Sequence, residues 1–242
     1  TSRCRFTTPV TGPFSSTREF VSSMRRAHAF PWPVRAYGLL GLLGMATFMS
    51  SLIVLHLTSN DIDWTRGYVS NLANEPLSWV FTTGAFVHGL GNLALARGLR
   101  GALHPGRLRS WAVLLFGLAA VGILLAALFP IDPPDQAPST TGIVHRAIAS
   151  ATFALELAAV FVFSAAFRRH RRWHRQQAVS LVLSVSAAIA LTMFIIAIQV
   201  DVAPGLAERM ALAILLVWEL WISFQLILKK SEPQPQTGSH YT

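Results

Sequence analysis

The sequence predicts an all-α, polytopic integral membrane protein: a bundle of six transmembrane helices with both termini in the cytoplasm. Three observations carry that prediction. Six long apolar stretches divide the chain, at about 34–58, 77–99, 110–129, 143–167, 177–200 and 206–228. Each is close to the roughly 20 residues that a helix needs to cross a hydrocarbon core of about 30 Å. Apolar residues make up 52% of the chain and charged residues only 13%, with a mean hydropathy of +0.48. A soluble domain of this size cannot bury so much apolar surface, so lipid must cover part of it. Finally, the basic residues alternate between the gaps. Seventeen of the 20 Lys and Arg lie before span one or at its first turn, or at the end of span two and after spans two, four and six.

The elements follow in order. The segment 1–33 carries Arg3, Arg5, Arg18, Arg25 and Arg26 against Glu19, and Arg35 opens span one. The positive-inside rule places this segment in the cytoplasm. It has no apolar core of the signal-peptide kind, so span one is expected to act as an uncleaved insertion signal. Pro31-Trp32-Pro33 closes the segment and sets a Trp at the inner interface. Span one carries Gly38, Gly41 and Gly44, small residues that let helices approach closely. Span two opens at Trp79 and carries a small stripe from Gly84 and Ala85 to Gly91. Arg97, Arg100, Arg107 and Arg109 mark the second cytoplasmic gap, and Trp111 opens span three. Phe129-Pro130 ends that span, because proline cannot continue a helix. Pro133, Pro134 and Pro138 stiffen the loop beyond. The run 168–175 after span four is the densest in charge. It reads as a topology determinant that also attracts anionic lipid. Ser180, Ser184 and Ala188 give span five a small packing face, and Pro204-Gly205 reads as the turn into span six. Trp218 and Trp221 lie too deep for an interfacial belt and are expected to face other helices, a ligand cavity or a partner. The segment 229–242 begins with Lys229-Lys230, contains Pro233 and Pro235, and reads as a disordered cytoplasmic tail.

The formal net charge of +9 sits at helix ends, where topology requires it. That distribution argues against nucleic-acid binding. The single cysteine, Cys4, excludes an intramolecular disulfide and a Cys-rich metal site.

Three ionisable residues fall near the middle of spans: His88, Glu156 and Glu219. A charge at that depth costs about 3 kcal/mol or more, so such residues are candidates for function. The structural alternative is a neutral side chain hydrogen-bonded to a neighbouring helix. His145 and Glu156 are eleven residues apart, as are Glu208 and Glu219. Eleven residues is about three helical turns, so each pair shares a face. With Asn92 beside His88, three helices have polar faces that would form an outward-opening vestibule if they converge. The outer loops hold a second cluster: Asn60, Asp61, Asp63, Ser70, Asn71, Asp132, His145, Glu208 and Arg209. Its carboxylates and imidazole are ligand types that divalent cations use, but the spacing matches no metal motif. His56, His88 and His145 are the candidate axial ligands if a haem were bound; nothing in their spacing demands one.

At these outer positions the chain resembles an uncharacterised bacterial membrane family, domain of unknown function 998. The resemblance rests on Tyr68-Val69-Ser70-Asn71-Leu72-Ala73, Phe129-Pro130-Ile131-Asp132, His145, Gly205-Leu206-Ala207-Glu208-Arg209 and Trp218. It implies a six-helix fold of the bacterial inner membrane with a shared polar site on the outer face. Glu156 and Glu219 are outside the matching positions. Membrane hydrolases of the ceramidase type differ, since span six lacks their His-x-x-x-His pair.

The reading that fits the short loops and small packing faces best is a non-catalytic membrane protein. It would be an accessory subunit of other membrane proteins, or a binder of lipid or pigment. Two alternatives stand beside it. One is an outward-facing enzyme on lipid-linked substrates, with His145 as base and Asp132 or Glu208 as its partner. The other is a small proton-coupled transporter using His88, Glu156 and Glu219.

Overall fold

The computed structural model describes residues 33–59, 63–133 and 136–228. The two predicted tails except for Pro33, together with Asn60, Asp61, Pro134 and Asp135, lie outside the described residues. Among those described, the chain forms six long helices, two short 3₁₀ turns and no strand. The helices are α1 (Val34–Thr58), α2 (Ser78–Ala102), α3 (Arg107–Leu128), α4 (Thr140–Arg168), α5 (Gln177–Val200) and α6 (Pro204–Leu228).

Local chemistry sets their ends. Pro33 is extended, with φ −64° and ψ 145°, and α1 starts directly after it. The helix α2 continues to Ala102, past the apolar run, because Arg97 and Arg100 are good helix formers whose long stems can reach toward water. The helix α3 stops at Leu128, since the residue before Pro130 disfavours helical backbone. The helix α4 starts at Thr140, where the Ser139 hydroxyl accepts the Gly142 N–H at 3.1 Å. One expectation is corrected here. Pro204 and Gly205 do not form the turn into the last helix; they are its first residues. Proline suits that position because its missing N–H would have no partner there. Residues 201–203 make the turn, with Asp201 at φ 51° and Ala203 at φ 48°.

Each helix packs against its neighbours in the chain, and α6 returns to α1, closing a ring. The helix α2 also meets α6. Small residues allow the closest approach. A Cβ on Gly44 would stand 2.9 Å from both the Gly91 Cα and the Val87 carbonyl oxygen. The helices α1 and α2 therefore touch backbone to backbone. Outward faces carry exposed Leu39, Leu43, Ile53, Val182, Ile189, Met193 and Ile196, a surface suited to lipid rather than water.

Every long helix except α2 is long and apolar enough to cross a membrane. The chain is thus an all-helical, multi-pass membrane protein with five such helices among the described residues. The helix α2 falls short because His88, Asn92, Arg97, Arg100 and several glycines lower its apolarity. It nonetheless packs between α1 and α3.

Two apolar clusters fill the interior. One holds Phe48, Leu52, Leu55, Leu72 and Phe81 toward the loops at 59–77 and 129–139, here called the acidic end. The other holds Leu99, Phe116, Phe163, Phe167, Trp173, Trp218 and Leu226 toward the arginine-rich end. His88 and Asn92 of α2 and Glu219 of α6 lie between them.

Candidate functional site

The mid-helix residues come together from three helices. His88 Nε2 and Glu219 Oε2 are 2.7 Å apart, joining α2 to α6. One turn on, Asn92 Nδ2 donates to Glu219 Oε1. Both oxygens of Glu219 are therefore occupied. The His88 ring stacks on Phe48 of α1, with centroids 5.0 Å apart and planes within 6°. From α4, the Glu156 carboxyl faces the same cavity as Glu219 and neighbours it there. Two neighbouring buried carboxyls repel when both are charged, so such a pair favours a proton on one of them. All four side chains are buried. Burial at this depth is tolerable only because the groups partner one another. Two atoms of the cluster are different: Glu156 Oε1 and Asn92 Oδ1 are buried with no hydrogen-bond partner among the described residues, and of the two residues Glu156 lines the cavity described next.

A cavity of about 120 Å³ reaches this cluster. Glu156, Glu219 and His88 line it, together with Thr152 and Ala149 on the α4 face. Ser70, His145 and Glu208 line it at the acidic end. On the other side of the cluster, Phe116, Phe163 and Trp218 pack ring against ring at 5.6–6.1 Å. The cavity thus runs from the cluster toward the acidic end.

The cluster expected at the outer loops is divided among separate tasks. Glu208 accepts the Val69 N–H at 2.6 Å, fastening the 3₁₀ turn Val69–Asn74 to α6. Ser70 and Asn71 belong to that turn. Asp132 accepts from the Ser139 hydroxyl at 2.5 Å and the Ser139 N–H at 3.1 Å, with Arg146 at 3.6 Å. The Ser139 hydroxyl above all, helped by its N–H and by Arg146, holds the Asp132 carboxyl below its ordinary range against some desolvation. A Cβ on Gly142 would run into that carboxylate, so a larger residue there would push Asp132 out of its place. Asp63 accepts from the Thr65 hydroxyl and N–H, which likewise hold its carboxyl low. His145 Nδ1 donates to the Phe129 carbonyl at 2.5 Å, tying α4 to the end of α3. Arg209 Nη1 lies within 2.6–3.2 Å of the carbonyls of Gly67, Gly205 and Trp64, and its other nitrogens face His56 Nε2. Neither Asp132 nor Glu208 hydrogen-bonds to His145 among the described residues, and no group there is arranged to hold a metal ion.

Two features were not read as site chemistry. The Arg209–His56 contact joins residues far apart in the chain, and no sequence pattern signals it. The Ser180 and Ser184 stripe, read as packing, is also polar. Trp218 Nε1 donates to Ser180 Oγ at 2.9 Å, and Ser164 Oγ lies 2.7 Å from the same oxygen.

No curated protein and no solved structure matches the chain. A family model described as "Protein of unknown function (DUF998)" matches residues 42–225, which include every residue of the buried cluster and of the cavity. The match covers most of the chain, which therefore belongs to the family of domain of unknown function 998.

Proposed function

We propose that the chain is a non-catalytic, six-span protein of the bacterial cytoplasmic membrane, with both termini in the cytoplasm. Its mid-membrane cluster would be a proton-binding site entered from the acidic, outer end. The α2 polar face supports the sixth span, since each of its buried polar groups lies inside the bundle rather than toward lipid. The alternation of arginine between gaps supports the orientation, and the family resemblance supports the bacterial membrane.

One observation carries the proton-binding reading. Glu156 Oε1 is a buried acceptor with no partner among the described residues, in a side chain that lines the cavity. A buried acceptor in that state calls for a donor, and a cavity of this size admits a few waters or a small protonated ligand. It does not admit a lipid-linked headgroup. Water entering past Ser70 and His145 would exchange its protons with the Glu156–Glu219 pair. A proton-coupled carrier is the second reading, favoured by the depth of the His88–Glu219 contact. It requires Phe116, Phe163 and Trp218 to part so that the same groups face the arginine-rich end.

Infrared difference spectroscopy of the protein in nanodiscs, on switching to heavy water, tests the site. The expected result is a carboxylic-acid band that shifts within seconds and is absent from Glu156→Gln. A band that does not shift, or one that survives the substitution, would overturn the reading. Proton flux in vesicles, present in the wild type and lost in Glu156→Gln, would select the carrier.

A further inference from the structure

We propose that the cleft between α1 and α6 is a binding site for one anionic phospholipid, with an acyl chain in the cleft and the phosphate on Arg209. This site is separate from the buried cluster and does not depend on its reading. The cleft has a volume of about 500 Å³ and runs from His56, Trp64 and Arg209 down to Met45 and Leu220. Apart from those polar groups at its mouth, its lining is aliphatic, with Met49, Ile53 and Val217 exposed to the lipid side.

Length, charge and position point to the same occupant. From Arg209 to Leu220 is eleven residues, about 16 Å along the helix. That is about half of a hydrocarbon core of roughly 30 Å, the depth of one leaflet. The cleft therefore starts at an interface and ends near the midplane, as an acyl chain does. Trp64 is exposed at its mouth, where an interfacial indole belongs.

The guanidinium supplies the headgroup contact. Arg209 has no ion pair within 4.0 Å among the described residues. Glu208 and Asp63 act on it only from farther away, because their oxygens face backbone N–H groups and the Thr65 hydroxyl. His56 Nδ1 donates to the Leu52 carbonyl at 2.7 Å, which leaves Nε2 as an acceptor toward Arg209. Arginine has five N–H donors. Nη1 is committed to carbonyls and Nε to His56, and Nη2 has one N–H for His56 and a second with no acceptor among the described residues. A half-buried cation with a spare donor at the mouth of an apolar cleft suits a phosphate joined to an acyl chain.

Native mass spectrometry of the full chain tests this, with equimolar phosphatidylglycerol and phosphatidylcholine of identical acyl chains. The wild type should retain about fivefold more phosphatidylglycerol in its first adduct, the preference that one cation near the surface supplies. Arg209→Gln should abolish most of that preference. Ala213→Trp fills the cleft without replacing any hydrogen-bond partner of Arg209, and it should remove the adduct itself. The arginine-rich end also attracts anionic lipid, so the difference between wild type and variants is the readout. Equal retention of the two lipids by the wild type would overturn the proposal. So would a preference that persists in Ala213→Trp, even if Arg209→Gln fails to fold. Displacement of the lipid by inorganic phosphate alone would assign the site to free anions instead.

Discussion

Asp132 is placed to hold the start of α4, and its charge is what holds it. The Ser139 hydroxyl and N–H stabilise the carboxylate, so its folded pKa lies below the ordinary value of about 3.9. A depressed folded pKa contributes stability that is present above the unfolded value and is lost as pH falls through the folded one. Thermal unfolding in detergent should therefore show Asp132→Ala melting below the wild type at pH 7. The gap should narrow as the pH falls below the ordinary carboxylate value of about 3.9, and a gap unchanged by pH would contradict this role. Residue type alone flagged Asp132, Glu208 and Arg209, but their partners were not legible. Many of those partners are backbone groups of neighbouring loops, joined by the Ser139 hydroxyl, Arg146 and His56, and side-chain chemistry does not encode where a loop's N–H and C=O groups point. His88, Glu156 and Glu219 were legible as a set because a charge at mid-membrane is expensive. That Glu156 meets Glu219 depends on how α4 and α6 are rotated, which eleven-residue spacing within each helix leaves open.

The helices themselves were legible from length and apolarity, since a span must carry its own lipid-facing surface. Their ends were less so, because caps and arginine stems extend helical structure beyond the apolar run. The small-residue faces show how a packing signal can hide a polar one. Ser180 accepts from the Trp218 indole and contacts Ser164, so one oxygen joins α4, α5 and α6. Ser180→Ala leaves the fully buried Trp218 N–H without an acceptor, a loss of about 1–3 kcal/mol. Ser164→Ala should cost less, because Trp218 keeps its acceptor. Denaturant unfolding of both variants checks the order, and equal losses would show that the indole bond contributes little.

At the scale of the whole molecule, α2 is the helix whose crossing decides the topology. Its polar residues keep it below the apolarity of the other five helices, yet the charge alternation works only if it crosses. Without that crossing, Arg97, Arg100, Arg107 and Arg109 would lie on the side opposite the arginines before α1. Parity separates the two cases. With α1, α2 and α3 all crossing, residue 4 and residue 136 lie on opposite sides; with two crossings they lie on the same side. Cys4 is the chain's single cysteine, and Gln136 is exposed in the loop between α3 and α4. A membrane-impermeant maleimide on intact cells should leave Cys4 unlabelled until the membrane is opened. It should label Gln136→Cys, in a Cys4→Ser background, without permeabilisation. Labelling of both positions from one side would make α2 a buried helix that does not span. Labelling of Cys4 alone would keep six spans and invert the protein, placing the acidic end and the mouth of the cavity in the cytoplasm.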